Sequence, residues 1–199
     1  MRSKILEMPD SEIVFYPSFF SKERSDAYYD DLYANIAWKQ EQIKLYGKQL
    51  DLPRLTAWYG DRGASYKYSG IRVKPQSWIA PLLEIKKAIE SLSGNVFNSV
   101  LLNLYRQERD GVSWHSDNEP ELGQNPIIGS VSFGGTRRFQ FKHKKNKAWR
   151  YEIKLPHGSY LLMKGATQNY WLHQVPKETK PYRPRINLTF RTIVSKVGV

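Results

Sequence analysis

From about residue 98 onward the chain is a succession of short apolar and alternating segments separated by turn signals. SVLLNLYR, PIIGSVSFG, RRFQFKHK, AWRYEIKL, SYLLMKG and RINLTFRTIV each read as a strand. Gly134-Gly135 reads as a hairpin turn. So many short strands at this spacing predict a β-sandwich or jelly roll. Two helices are expected ahead of them. Ser21 is positioned to cap one running through Ala27, Leu32 and Ile36. The other has Pro75 at its start, Gly94 just past its end, and an apolar stripe of Trp78, Leu82, Ile85, Ile89 and Leu92. The expected fold is therefore α+β, one domain, with a jelly-roll core (a double-stranded β-helix) over 98–193. The N-terminal helices pack on one of its sheets. Residues 1–37 form an extension and helix. Residues 38–74 separate the two helices as hairpins and a lid, and 38–60 within them read as a hairpin or an exposed loop, because KQEQIKLYGKQLDLPRLTAWYG has a Tyr46-Gly47 turn and no helical period. Residues 75–94 form the second helix.

The chain carries 31 Lys and Arg against 19 Asp and Glu over 199 residues, a formal charge of +12. That excess favours a polyanionic partner, nucleic acid before an anionic membrane surface. Cysteine is absent, which excludes disulfides, thiolate nucleophiles and Cys-ligated metals. The start, MRSKILEMPD, has no apolar signal-peptide core, and no apolar run is long enough to span a bilayer. The expectation is an intracellular protein that is monomeric and makes no membrane contact. It would be cytoplasmic and nucleoid-associated in a bacterium, nuclear in a eukaryote.

There are four histidines, His115, His143, His157 and His173. His115 and Asp117 form an H-x-D pair, and in extended chain such residues point the same way. Two such ligands plus a distant histidine make the facial triad of non-haem iron(II), which leaves open coordination positions. A surface histidine beside a solvated aspartate would look the same. His143, among lysines, reads as a solvated basic turn, and His157, in LPHGSY, as a tight turn. His173 is therefore the best candidate for the third ligand. In RINLTFR, Ile186, Leu188 and Phe190 alternate with Arg185, Asn187, Thr189 and Arg191. Packed with its apolar face on the helices, this strand would turn two arginines into the interior, where each needs a planar anion. A solvated edge strand has the same pattern. Asn103 and Tyr105 share a strand face and could bond the same small acid. The lysines and arginines of 137–150 are positioned in sequence to track phosphates, or to form a solvated hairpin.

Taken together, N-x-Y, H-x-D, a distant His and R-x-N-x-T-x-R resemble the AlkB family of 2-oxoglutarate dioxygenases. The match runs over roughly residues 38–193 and includes PRLTAWYGD, YKYSG, SVSFG, RFQFKHK and INLTFR. It is greatest to the animal branch that repairs double-stranded DNA. The resemblance implies iron(II) held by His115, Asp117 and His173, with 2-oxoglutarate and O₂ as cosubstrates. It implies 2-oxoglutarate contacts from Asn103, Tyr105, Arg185, Thr189 and Arg191, with either arginine able to take either carboxylate. Tyr66, Tyr68 and Ser69 fall in the substrate lid, Tyr68 as the aromatic stacked on a flipped base, with His115 covering the base's other face. Leu45, Tyr46 and Gly47 align with a finger that enters the duplex. After H-x-D, Asn118 and Glu119 stand where the branch carries a larger acidic cluster. The implied reaction is oxidative removal of methyl groups from 1-methyladenine or 3-methylcytosine in DNA, or from RNA by the same chemistry. The same residues also fit a non-catalytic nucleic-acid-binding jelly roll, or a zinc hydrolase using the same three ligands.

Overall fold

The computed structural model describes residues 2–45, 47–64, 66–68, 71–180 and 182–194, and for 44–45, 66–68 and 71–73 the backbone alone. Strands β1 (Lys4–Ile5) and β2 (Glu12–Tyr16) precede helix α1 (Lys22–Asn35). There follow β3 (Gln42–Leu45), β4 (Lys48–Asp51), β5 (Leu55–Gly60), β6 (Tyr66–Tyr68), β7 (Ile71–Val73) and helix α2 (Ala80–Ser93). The second half is β8 (Ser99–Tyr105), β9 (Val112–His115), β10 (Ile128–Gly134), β11 (Arg137–His143), β12 (Arg150–Leu155), β13 (Ser159–Lys164), the one-turn helix α3 (Thr167–Tyr170), β14 (Trp171–Val175) and β15 (Arg185–Arg191).

The strands form the expected jelly roll. A seven-stranded sheet runs β1-β2-β13-β10-β15-β8-β5 and faces a four-stranded sheet, β12-β11-β14-β9. The hairpins β3-β4 and β6-β7 stand apart as two-stranded ribbons. The alternation in β15 decides which side of the large sheet meets the helices. Ile186, Leu188 and Phe190 pack with Leu82, Ile85 and Ile89 of α2 and Leu32 of α1. A second apolar cluster fills the space between the sheets and includes Ile13, Phe15, Leu161, Phe139, Phe141 and Trp171. Each fully buried aliphatic or aromatic side chain contributes about 1.5–3 kcal/mol to holding these layers together. Among the described residues no helix is long and apolar enough to cross a membrane.

Ser21 caps α1 as expected, its hydroxyl accepting from the Arg24 amide at 3.3 Å. Gly94 ends α2 in the left-handed conformation at φ 69°. The start of α2 differs. Residues 75–79 stay extended, bridging β5 through Gln76, and Pro81 opens the helix instead of Pro75. Trp78 consequently lies outside the helix and stacks on Phe190, and Leu92 is exposed rather than part of the buried stripe.

The structure departs from the sequence pattern in three further places. Gly134-Gly135 is not a hairpin turn, because β10 and β11 belong to different sheets. It is a crossover squeezed under residues 183–184, where a Cβ on Gly134 (φ 84°) would lie 2.3 Å from the Pro184 carbonyl. Residues 55–60 are not exposed loop but the largely buried β5, paired along its length with β8. Strands β2 and β14 have no counterpart among the expected elements: β2 has too few alternating positions, and β14 follows the turn of α3 without a break signal.

Candidate active site

His115 ends β9 and lies directly opposite His173 on β14. Their rings meet edge to face with centroids 4.3 Å apart. Asp117 follows two residues beyond β9, and its carboxylate approaches His173 Nε2 at 3.6 Å. Potential ligand atoms of the three residues all lie within 4.8 Å of one another. His115 Nδ1 sits 2.8 Å from the Ser113 carbonyl. A carbonyl only accepts, so Nδ1 carries the proton and Nε2 is left as the ligating atom. His173 stacks on Phe139 at 5.2 Å, and burial pushes its pKa down to about 3, so it stands neutral. Burial alone would raise the Asp117 carboxyl. The Arg191 guanidinium outweighs that and holds it below its ordinary value. Two imidazoles and one carboxylate form a donor set that suits a divalent ion.

The polar face of β15 lines the space beside this cluster. Register places Asn187 against Asn103 on β8 and Ser132 on β10, and Arg185 against Tyr105. Arg185 is fully buried, lies 5.2 Å over the Tyr105 ring, and donates through Nη2 to Ser132 Oγ at 2.8 Å. Its Nε and Nη1 are buried with no hydrogen-bond partner among the described residues. Burial lowers its pKa to about 10, with the neighbouring Arg137 adding to the shift and the Tyr105 phenol opposing it, so it is still charged at neutral pH. Arg191 donates through Nη2 to Asp117 and keeps Nε free of partners in the same sense. Thr189 donates to Asn187 Oδ1 at 3.1 Å, and Asn187 in turn donates to Ser130 and to the Val131 carbonyl. A buried guanidinium with two unused N–H groups is costly unless an anion meets it.

Several contributors carry no signal that singles them out in the sequence. Arg54 donates to Asn103 Oδ1 at 2.7 Å, which leaves the Asn103 amide nitrogen as the donor end of that side chain. Gln168 binds the Asp117 backbone. Arg137, expected among the phosphate-tracking cations, is instead buried, donating to the Asp110 and Pro176 carbonyls at 2.8 and 2.7 Å. Here a signal exists: Arg137, Phe139 and Phe141 share the inward face of β11. His143 is likewise no solvated turn residue. It is buried, stacked on Tyr170, and its Nδ1 accepts from the amides of Lys145 and Asn146. His157 does lie in a turn, where Nδ1 accepts from the Gly134 amide at 2.8 Å.

Of the substrate-side residues, Tyr46 and Ser69 lie outside the described residues, and Leu45, Tyr66 and Tyr68 are described as strand backbone only. Gly47 follows β3 at φ 78° with open space around it, as the tip of a hairpin requires. Asn118 is exposed and accepts from Ser116 Oγ at 3.0 Å. Glu119 is half-buried, with Oε2 unpartnered among the described residues.

Comparison with known proteins agrees with this geometry. The 2OG-Fe(II) oxygenase superfamily matches over residues 12–191. The chain is 44% identical over 192 residues to the alpha-ketoglutarate-dependent dioxygenase alkB homolog 3 of Bos taurus, covering 92% of this chain and 66% of that protein. It is 34% identical over 189 residues to the DNA oxidative demethylase ALKBH2 of Homo sapiens, covering 90% of this chain and 72% of that protein. The chain thus spans about two thirds of the length of the alkB homolog 3 relatives, 66% in the bovine case. The solved structure of OsALKBH1 superposes with a TM-score of 0.65 over 96% of this chain and 100% of that one, at 16% identity, a likeness of fold.

Proposed function

Because the chain belongs to the 2OG-Fe(II) oxygenase superfamily, and within it to the AlkB homologues, we propose that it oxidatively dealkylates damaged DNA bases such as 1-methyladenine and 3-methylcytosine. One observation carries this reading furthest. The His115–Asp117–His173 cluster shares an interior with a buried arginine whose free N–H groups call for a small carboxylate. A zinc hydrolase would leave that arginine without a task.

In this reading His115 Nε2, an Asp117 oxygen and a His173 ring nitrogen hold iron(II). Bound iron(II) and 2-oxoglutarate with O₂ supply the oxidation that hydroxylates the alkyl carbon, which leaves as formaldehyde while 2-oxoglutarate becomes succinate and CO₂. The chain's own residues do the positioning. Arg185, deep beside Tyr105, would take one carboxylate of 2-oxoglutarate, and Arg191, already against Asp117, would stand by to take the other. Tyr105 and the Asn103 amide, oriented by Arg54, hydrogen-bond the same molecule. Thr189 and Asn187 hold each other's rotamers, so the polar wall does not rearrange when the ligand enters.

DNA is supported as the substrate by the demethylase relatives and by the +12 charge. A base in a duplex must be extruded at a cost of a few kcal/mol, and a lesion that cannot pair lowers that cost. The β3-β4 and β6-β7 ribbons, separate from both sheets, are the parts free to meet the strand. Formaldehyde release should be followed in parallel from a methylated DNA oligonucleotide, its RNA counterpart and a methylated peptide. Release from DNA is expected. Release from RNA alone would move the substrate and keep the chemistry, and release from none would overturn the reading.

A further inference from the structure

Gln168 is fully buried in α3, between β13 and β14. Its Oε1 accepts from the Asp117 amide at 3.0 Å, across 51 residues. β9 ends at His115, so no sheet ladder holds the backbone where the carboxylate ligand projects. The Gln168 side chain supplies the bond that a partner strand would otherwise make.

α3 is itself held firmly. Thr167 Oγ1 donates to the Lys164 carbonyl at 2.6 Å and accepts from the Glu12 amide at 3.0 Å. Lys144 Nζ donates to the Gln168 carbonyl at 2.8 Å. From α3 the chain passes directly into β14, which carries His173. One short turn therefore anchors the start of the strand bearing a histidine and, through Gln168, the backbone bearing the carboxylate.

The amide is a poor choice for filling space. Among the described residues its Nε2 finds only Met163 Sδ at 3.6 Å, a weak acceptor, so the buried amide is left half satisfied at a cost to the fold. A methionine of similar shape would avoid that cost. What the amide does that methionine cannot is accept from Asp117. We propose that Gln168 is a positioning residue for the metal centre, fixing Asp117 relative to His173 and so setting how tightly the site takes a divalent cation. This rests on reading His115, Asp117 and His173 as metal ligands.

The test is Co(II) titration of the full chain, followed by visible absorption, for the wild type and Gln168→Met, with denaturant unfolding of each in the absence of metal. Gln168→Met exchanges a half-satisfied side-chain amide for an Asp117 N–H without its acceptor, so it is expected to match the wild type in stability without metal, yet to bind Co(II) about 10- to 100-fold more weakly. Equal Co(II) affinity overturns the proposal. If Gln168→Met is destabilised or unfolded without metal, amide hydrogen exchange in the wild type decides. An Asp117 amide far slower than those of Ser116 and Asn118 supports the role, and one exchanging as fast as they do overturns it. A wild-type chain that takes up no Co(II) overturns the metal-centre reading as well, whereas a change confined to Gln168→Met speaks to Gln168 alone.

Discussion

Arg191, the last residue of β15, donates to the carboxylate of Asp117, so the counter-ion of the candidate metal ligand comes from the strand that also carries Arg185. Asp117 is buried between two imidazoles, and without metal Arg191 is the cation that offsets its charge. Removing one partner of a buried pair leaves the other uncompensated. Arg191→Met is expected to lower the stability of metal-free protein by about 3 kcal/mol, with Co(II) restoring part of the loss. Denaturant unfolding with and without Co(II) checks this. Equal stability of the two metal-free proteins would contradict it.

Arg185 should separate cosubstrate binding from metal binding. Arg185→Met removes the charged donors facing the interior while leaving the three ligands in place. The apparent Kd for 2-oxoglutarate on Mn(II)-loaded protein should rise by about 10- to 100-fold, the loss of one charge-assisted hydrogen bond or two. Mn(II) affinity should stay unchanged. Calorimetric titration of each ligand reads both quantities.

Gly134 sits at the crossover between the sheets. Its φ is 84°, and an added Cβ would lie 2.3 Å from the Pro184 carbonyl and 2.6 Å from the Tyr29 ring. Gly134→Ala should destabilise the protein by about 3 kcal/mol or more. Gly47→Ala, at φ 78° but with nothing within 4 Å, should cost only about 1 kcal/mol. Chemical denaturation of both variants checks the contrast.

His157 predicts a pH effect on stability. Burial, opposed by Asp26, lowers its pKa below the ordinary imidazole value. The depressed group favours the fold fully above the unfolded-state pKa of about 6.5. That contribution is lost as pH falls from there through the lower folded-state value. His157→Asn keeps an acceptor for the Gly134 amide and removes the titration. The stability difference between wild type and this variant should therefore shrink between neutral and mildly acidic pH. A difference independent of pH would contradict the assignment.

Much of the fold and site is legible in the sequence because of two periodicities. Ile186, Leu188 and Phe190 against Arg185, Asn187, Thr189 and Arg191 mark a strand with a helix-facing and an interior face, and both faces are where the alternation puts them. The H-x-D spacing puts His115 at the end of β9 and Asp117 just beyond it, with ligand atoms of both within 4.8 Å of one another. What escapes has a common physical origin. Arg54 and Gln168 act through hydrogen bonds to residues 49 and 51 positions away, and tertiary pairing of that kind leaves no local pattern. The lysines beside His143 suggest solvent, while its ring is enclosed by Trp149, Tyr170 and Trp171. Gly134-Gly135 carries a turn signal, but only the sheet order distinguishes a hairpin from a crossover.

The most direct measurement is mass spectrometry of a short DNA oligonucleotide bearing 1-methyladenine or 3-methylcytosine, incubated with the protein, Fe(II), ascorbate and 2-oxoglutarate. Single- and double-stranded forms would be compared, with His115→Ala as the control. The account predicts loss of the methyl group that requires 2-oxoglutarate and is absent in the control. Intact methyl groups and unconverted 2-oxoglutarate, in folded, metal-loaded protein, would contradict it and favour a binding role.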